Sequence, residues 1–216
     1  MRILIVGGSN VAEEFLKNID LRRNEVTIVD SDSDRCKELS SMFDVYVINK
    51  DATDFSLYTS DVNVSDVDSV IALTDRDETN IFVLSVAKAY NIPIRIAKVS
   101  DPKIAELIIK LGLGVPIVSP SLTASMIKTF IDSVRGPRLL VEYGGFKLYV
   151  LSVSETDKAA NKSLKEVELP PNTKIMLIFD GSKIYPPDED TVLLNGYQLI
   201  ILTNSSEDEL SSYLKG

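Results

Sequence analysis

Six apolar runs of strand length occupy residues 3–118, and stretches with helical spacing separate them. The runs are 3–6, 26–30, 45–48, 69–73, 94–99 and 115–118. Strands joined by helical crossovers lie parallel, because a tight hairpin cannot connect neighbours that run the same way. The runs are continuously apolar rather than alternating, the pattern of strands covered by helices on both faces. Between them, residues 11–18, 34–42, 79–90 and 102–111 carry apolar side chains at helical spacing. Pro102 suits a first helical turn, and Asp101 before it is a candidate cap. The expected fold is α/β, a Rossmann-like, doubly wound parallel sheet with a small C-terminal α+β domain.

The boundary between the two is set by residues 120–137. Pro120 precedes a further helical pattern over 121–134, and Gly136-Pro137 ends it. The first domain is therefore expected over 1–135 and the second over 138–216. In the second, 139–143, 146–153, 174–179 and 198–203 read as strands separated by Gly, Pro, Asn and Asp, and a helix over 207–214 closes the chain.

The first strand, turn and helix meet at Gly7-Gly8-Ser9-Asn10-Val11-Ala12, where a dinucleotide-binding fold places its glycine-rich turn. Gly7 can make the tight turn and Ala12 permits close packing of helix on strand. Ser9 replaces the glycine that lets backbone approach a pyrophosphate; its side chain either narrows the site or donates to phosphate at the helix N-terminus. Asp30 ends the second strand about 20 residues further on, where a carboxylate grips the ribose hydroxyls of a bound nucleotide. A carboxylate there repels a 2'-phosphate, so NAD/NADH or ADP/ATP is favoured over NADP. The plainer alternative is that Asp30 caps the next helix. Asp30-x-Asp32-x-Asp34 opens like a calcium loop, but Arg35 and Ser41 stand where that loop needs Gly and Glu. Asp32 and Asp34 are better read as capping the following helix.

Composition closes off other chemistries. The chain has no histidine, which removes the commonest general base and every Ser-His or Cys-His arrangement. Its one cysteine, Cys36, has no partner for a disulfide and suits a small apolar role on a helix. A formal net charge of -9 argues against a nucleic-acid partner, since neutralising phosphates takes clustered Lys and Arg. No apolar run nears the roughly 20 residues of a membrane span, and Met1 leads straight into a strand with no signal-peptide pattern. A cytoplasmic protein is expected.

Further motifs follow in order. The third strand leads to Asn49-Lys50-Asp51-Ala52-Thr53, the fourth to Leu73-Thr74-Asp75-Arg76-Asp77-Glu78-Thr79-Asn80, and the sixth region reads Leu111-Gly112-Leu113-Gly114-Val115-Pro116-Ile117-Val118-Ser119-Pro120. The C-terminal part adds Asn161-Lys162-Ser163-Leu164, Leu169-Pro170, Pro186-Pro187 and Leu194-Asn195-Gly196-Tyr197. Together these resemble the TrkA family, also called RCK or KTN domains, cytoplasmic regulators of potassium channels and transporters. The sequence departs from the family at Lys50, Asn161 and Tyr197, where Gly, Gly and Asp are usual. The resemblance implies that Asp30 holds the ribose, that Asp51, Ala52 and Thr53 sit by the adenine, and that Thr74 and Asn80 line the site with Gly7, Ser9, Asn10 and Val11. It places Lys98 where many members have an Arg near the phosphates; an exposed charge at a strand end is the alternative for Lys98. It further implies an adenine nucleotide ligand, a membrane potassium channel or transporter subunit as partner, and a homodimer or higher ring peripheral to the membrane. In the family the helix over 121–134 crosses to a partner subunit, and Leu122, Met126, Ile127, Phe130, Ile131 and Val134 give it an apolar stripe. Calcium carboxylates found in some members are replaced here by Lys98 and Ser100.

Two other readings stand beside this one. Gly7 to Ala12 with Thr74-Asp75 is also similar to the short Rossmann domain of siroheme-pathway precorrin dehydrogenases, which would make the chain an NAD-dependent enzyme. Against it, those enzymes usually lack an acidic residue at the position of Asp30. Two Tyr-x-x-x-Lys matches, Tyr46 with Lys50 and Tyr143 with Lys147, fail because that pair works on a helix and these lie on a strand and beside Gly144-Gly145. The third reading is a stand-alone nucleotide sensor with another partner.

Overall fold

The apolar runs become β1 (Arg2–Val6), β2 (Glu25–Asp30), β3 (Tyr46–Asn49), β4 (Ser69–Ala72), β5 (Ile94–Val99) and β6 (Val115–Val118) in a computed structural model describing residues 1–216. They pair in parallel in the order β3-β2-β1-β4-β5-β6. The register sets Val6 beside Val29 on one side and Ala72 on the other, and Asp30 beside Asn49. The order reverses between β1 and β4, which opens a crevice at the carboxyl ends of those strands.

The expected helices form as α1 (Asn10–Asn18), α2 (Ser33–Met42), α3 (Asp77–Ala89) and α4 (Pro102–Lys110). Leu4, Ile5 and Val6 point alternately to opposite faces of β1 and all are buried, so both faces are covered. On one face Ile3, Ile5 and Ile28 pack with Ala12 and Leu16 of α1 and Leu39 of α2. On the other, Val6, Val70 and Ala72 pack with Val83, Leu84 and Ala87 of α3. Asp101 caps α4 by accepting from Lys103 N at 2.8 Å, with Pro102 in the first turn. Helix α3 starts two residues before the sequence pattern does, because Asp77 and Glu78 favour a helix N-terminus without adding to its apolar stripe. The crossover from β3 to β4 is not an α-helix but a π-helical turn, Leu57–Asp61, and a 3-10 turn, Val64–Asp66. Its buried anchor is Tyr58, whose hydroxyl donates to Ala52 O at 2.8 Å. The Tyr58 ring meets Phe82 edge-on, with centroids 6.2 Å apart.

The chain separates into two compact units, Met1–Leu122 and Thr123–Gly216. The division falls inside a helix, α5 (Ser119–Arg135), rather than at 135–138 as read from the sequence. Pro120 lies within the first turn of α5, where its missing N–H costs nothing, so the helix starts before that proline instead of after it. The body of α5 is tied to the second unit: the Ser133 and Ser152 hydroxyls share a 2.5 Å hydrogen bond, and both side chains are fully buried.

The second unit holds an antiparallel sheet, β7 (Arg138–Tyr143), β8 (Phe146–Ser152), β9 (Lys174–Phe179), β10 (Ile184–Tyr185) and β11 (Gln198–Thr203), ordered β10-β9-β11-β8-β7. Helix α6 (Glu207–Leu214) covers it, with Leu210 and Leu214 packed on Tyr149, Leu151, Ile178 and Ile201. Two-residue β10 is too short to leave a periodic signal, which is why it escapes the sequence reading. The carboxyl end of the chain is pinned by Lys215, whose ammonium donates to Ser152 O at 2.7 Å and Asp157 Oδ2 at 2.8 Å.

Candidate functional site

The crevice at the end of β1 is shaped by Gly7 and Gly8. Gly7 has φ 101°, and a Cβ on it would lie 2.6 Å from Thr74 N and 2.7 Å from Leu73 C, so only glycine fits. Gly8 N donates to Asp30 Oδ2 at 2.6 Å, and a Cβ here would meet Leu39 Cδ1 at 2.8 Å. Ser9 then starts α1 with φ -63° and ψ 169°, an ordinary extended backbone in which serine carries no strain. Its hydroxyl gives α1 no side-chain cap and is buried without a hydrogen-bond partner. Buried hydroxyls are nearly always bonded, and an orphan at a helix N-terminus marks a place where an acceptor belongs.

Asp30 is the hub of the turn. Its Oδ2 holds Gly8 N, and its Oδ1 accepts from Asp32 N at 2.8 Å. The cap of α2 is Asp32, which accepts from Asp34 N at 2.8 Å and Arg35 N at 3.3 Å, so the capping alternative for Asp30 is taken by its neighbour. At the end of β3, Asp51 Oδ1 accepts from Thr53 N and Thr53 Oγ1, both at 2.7 Å. The Thr53 amide, followed by its hydroxyl, holds the Asp51 carboxyl below the usual carboxylate range. Lys50 turns away toward the π-helical turn, where Ser56 Oγ at 2.5 Å, Asp61 and Asp54 surround its ammonium. The Asp61 carboxylate raises the Lys50 pKa above its ordinary value.

Across the crevice, the loop from β4 to α3 is held by Asn80. Asn80 Oδ1 accepts from Thr74 Oγ1 at 2.7 Å and Thr74 N at 3.1 Å, while its amide donates to Thr74 O at 3.0 Å and Lys98 O at 2.8 Å. Every hydrogen-bonding group of that side chain is thereby used, and Asn80 is fully buried. Lys98 Nζ donates to Asp75 Oδ1 at 2.7 Å, with the Lys98 side chain only 16% exposed. The exposed-charge alternative for Lys98 is therefore not what the structure has.

These groups enclose a cleft of 680 Å³, within the range of small-molecule sites. Gly7, Ser9, Asn10, Val11, Asp30, Asp51, Ala52, Thr53, Thr74 and Lys98 wall it. Asn80 does not reach the wall, contrary to the sequence expectation; it stands behind Thr74 and fixes it. A larger hollow, 1070 Å³, lies at the opposite, amino-terminal edge of the strands beside Arg22, Asp44 and Tyr90. It is an open depression without a glycine turn or helix N-terminus, and a doubly wound sheet binds ligands at the other edge.

Comparison with known proteins agrees with this architecture. The TrkA-N domain model matches residues 3–120 and the TrkA-C domain model residues 148–215. The chain belongs to the TrkA family. A Trk system potassium uptake protein TrkA homolog of Pyrococcus abyssi is 27% identical over 223 residues, covering 100% of this chain and 98% of that relative. Among solved structures, the GsuK RCK domain superposes with a TM-score of 0.70 at 20% identity, over 100% of this chain and 47% of that one. The GsuK channel bound to NAD gives 0.65 at 20% identity, over 98% of this chain and 39% of that one. At such identities these two structures establish the fold.

This member of the TrkA family also places residues at the cleft that sequence reasoning passed over. Arg35 lies along the glycine turn, with Nε donating to Gly8 O at 2.5 Å and its other nitrogens held by Glu13 at 2.8 Å and Glu38 at 2.6 Å. Arg76 and Thr79 also line the cleft. No local pattern announces them, because Arg35 meets Gly8 across 27 positions of sequence. Cys36 is buried behind the site, 3.4 Å from Asp30 O, and burial pushes its thiol pKa up.

Proposed function

We propose that this cleft binds an adenine nucleotide, NAD/NADH or ADP/ATP, and that occupancy regulates a membrane potassium channel or transporter rather than driving a reaction. The observation that carries the reading is the join of Asp30, the Gly7-Gly8 turn and the unpartnered Ser9 hydroxyl at the N-terminus of α1. That join offers an acceptor for ribose hydroxyls next to donors for phosphate. The names of the relatives, potassium uptake proteins, support the transport role, and the NAD-bound GsuK channel carries a ligand of this class on the same fold. A regulatory rather than catalytic role is supported by the engagement of the cleft's polar groups in bracing one another.

A nucleotide can act as a signal only by binding two arrangements of the protein with different affinity. The second unit supplies a surface for assembly. Residues 123–128 of α5 are all exposed, and Met126, Ile127 and Ile131 are 57%, 56% and 53% exposed. On β7, the edge strand of its sheet, Leu139, Leu140 and Val141 are also exposed. We assign this face to a second copy of the chain in a homodimer or higher ring. No helix is long and apolar enough to cross a membrane.

Calorimetry on the full chain tests the reading. NADH, ADP or ATP should bind with micromolar-range affinity, and Asp30→Ala should abolish it. Unchanged affinity in that variant sinks the site assignment. A substrate-dependent change in nicotinamide absorbance would instead make the chain an NAD-dependent dehydrogenase.

A further inference from the structure

Four cationic residues line the cleft, and the side chains of three of them are already engaged. Arg35 is held by Glu13, Glu38 and Gly8 O. Lys50 lies among Asp54, Asp61 and Ser56. Lys98 is paired with Asp75. Arg76 is different. Its backbone N–H donates to the Thr74 hydroxyl at 3.3 Å, which helps fix the loop, while its guanidinium is exposed, makes no hydrogen bond or close ion pair, and acts on the Asp51 carboxylate only through its charge, helping to hold that carboxyl low. The loop is thus fixed, and the side chain has no bonded partner.

Its position gives that freedom a direction. Thr74-Asp75-Arg76 forms one lip of the crevice between β1 and β4, and Ser9 with the start of α1 walls the same cleft. Phosphates of a nucleotide held by Asp30 lie between such lips, at the helix N-terminus. The one other lysine or arginine on this lip or its neighbouring strand that walls the cleft is Lys98, whose charge is already balanced by Asp75.

Resting on the nucleotide reading above, we propose that Arg76 is the residue through which this cleft discriminates among nucleotides by phosphate charge. A terminal phosphate, as in a nucleoside di- or triphosphate, carries more charge and three unesterified oxygens. It can take both arms of a guanidinium fork. The two phosphates of a dinucleotide are esterified at both ends, carry one charge each and offer the fork less. Arg76 therefore favours ADP and ATP over NAD and NADH, and leaves the nucleoside part of the ligand to Asp30 and the β3 loop.

Calorimetry on the full chain with ADP, ATP, NADH and adenosine tests this, comparing wild type with Arg76→Gln and Arg76→Lys. Arg76→Gln should weaken ADP and ATP about tenfold, the scale of one charge-assisted hydrogen bond. NADH should change less than about twofold and adenosine not at all, and Arg76→Lys should recover only part of the loss. ADP binding to wild type should also weaken more steeply with added salt than in Arg76→Gln. Equal losses for ADP and NADH, or no loss, overturn the role of Arg76 while nucleotide binding stands. If wild type binds none of the three nucleotides, the nucleotide reading fails and this inference falls with it. The guanidinium is exposed, has no bonded partner and shares only an exposed charge interaction with Asp51, so near-unchanged thermal unfolding is expected for both variants and separates a binding defect from a folding one.

Discussion

In the cleft the carboxylates and most of the cations have bonded partners, whereas along α5 and β7 many apolar side chains are left exposed. Asp30 holds two amides, Asn80 uses all of its hydrogen-bonding capacity on Thr74 and Lys98, and Asp51 is taken by Thr53. The one buried side-chain polar atom without a partner in the whole chain is Ser9 Oγ. On the other surface, Met126, Ile127, Ile131, Leu140 and Val141 are each at least half exposed. The cleft is preorganised, so a small ligand meets fixed donors and acceptors and little ordering remains to oppose binding. The exposed apolar side chains of α5 and of β7 would gain stability from an apolar surface that covered them.

The sharpest way to break the cleft side of this contrast is Gly7→Ala. The new methyl would press on the Thr74 amide and Leu73 carbonyl carbon, both backbone, from a φ of 101° that alanine avoids. A loss of about 3 kcal/mol or more is expected from strain and overpacking together, with nucleotide binding gone. Urea unfolding and calorimetry measure both, and near-wild-type stability would show that the turn can re-form without its glycine. Next comes Asn80→Ala, which strands Thr74 N and Lys98 O in a buried setting and should cost roughly 2–3 kcal/mol. Binding should fall too, although Asn80 does not wall the cleft, because Thr74 loses its brace. Binding unchanged in a destabilised Asn80→Ala would mean that Thr74 needs no positioning.

Which of these features are legible in the sequence follows from how local their causes are. The six strands and their parallel pairing depend on continuous apolar runs and helical crossovers, and 3–118 carries both plainly. Asp32 as the cap of α2 and Asp101 as the cap of α4 are also local, each reaching amides two or three residues on. The placement of Asn80 is not legible in this way. Its position after Thr74 marks the segment, but whether an amide points into a cleft or behind it depends on a bond to Lys98 O from β5. Arg35 and Arg76 have no pattern to betray them. The start of α5 is hidden because a proline looks like a boundary from sequence and is equally at home inside a first turn.

The other side of the contrast is tested by placing charge on the exposed face. Met126→Asp combined with Ile131→Asp should change the stability of a single copy by no more than about 1 kcal/mol, since both side chains are more than half exposed. Sedimentation should show the assembly falling apart to single copies while affinity for nucleotide stays. A wild-type chain that sediments as a single copy at high concentration would break the assignment of that face to a second copy. A double variant that unfolds would show that α5 needs those side chains for its own packing.

The smallest effect belongs to the β3 side of the cleft, where Thr53→Val asks whether Thr53 reads the ligand or merely holds the turn. The variant keeps the amide that is the main cause of the lowered Asp51 pKa and removes only the hydroxyl donor. The Asp51 carboxyl, followed by NMR, should titrate higher than in wild type yet still below an ordinary aspartate. Because a depressed carboxyl stabilises the fold above its unfolded pKa, that contribution is lost as pH falls through the lower folded value, and the variant should lose it at slightly higher pH. At this exposed position the change at neutral pH should stay within about 0.5 kcal/mol. Nucleotide affinity within a factor of about two would assign the Thr53 hydroxyl to the turn, whereas a drop of tenfold or more, about 1.4 kcal/mol, would assign it to the ligand. The pKa readout makes the two separable, since a hydroxyl that serves only the ligand would leave the Asp51 titration where it was.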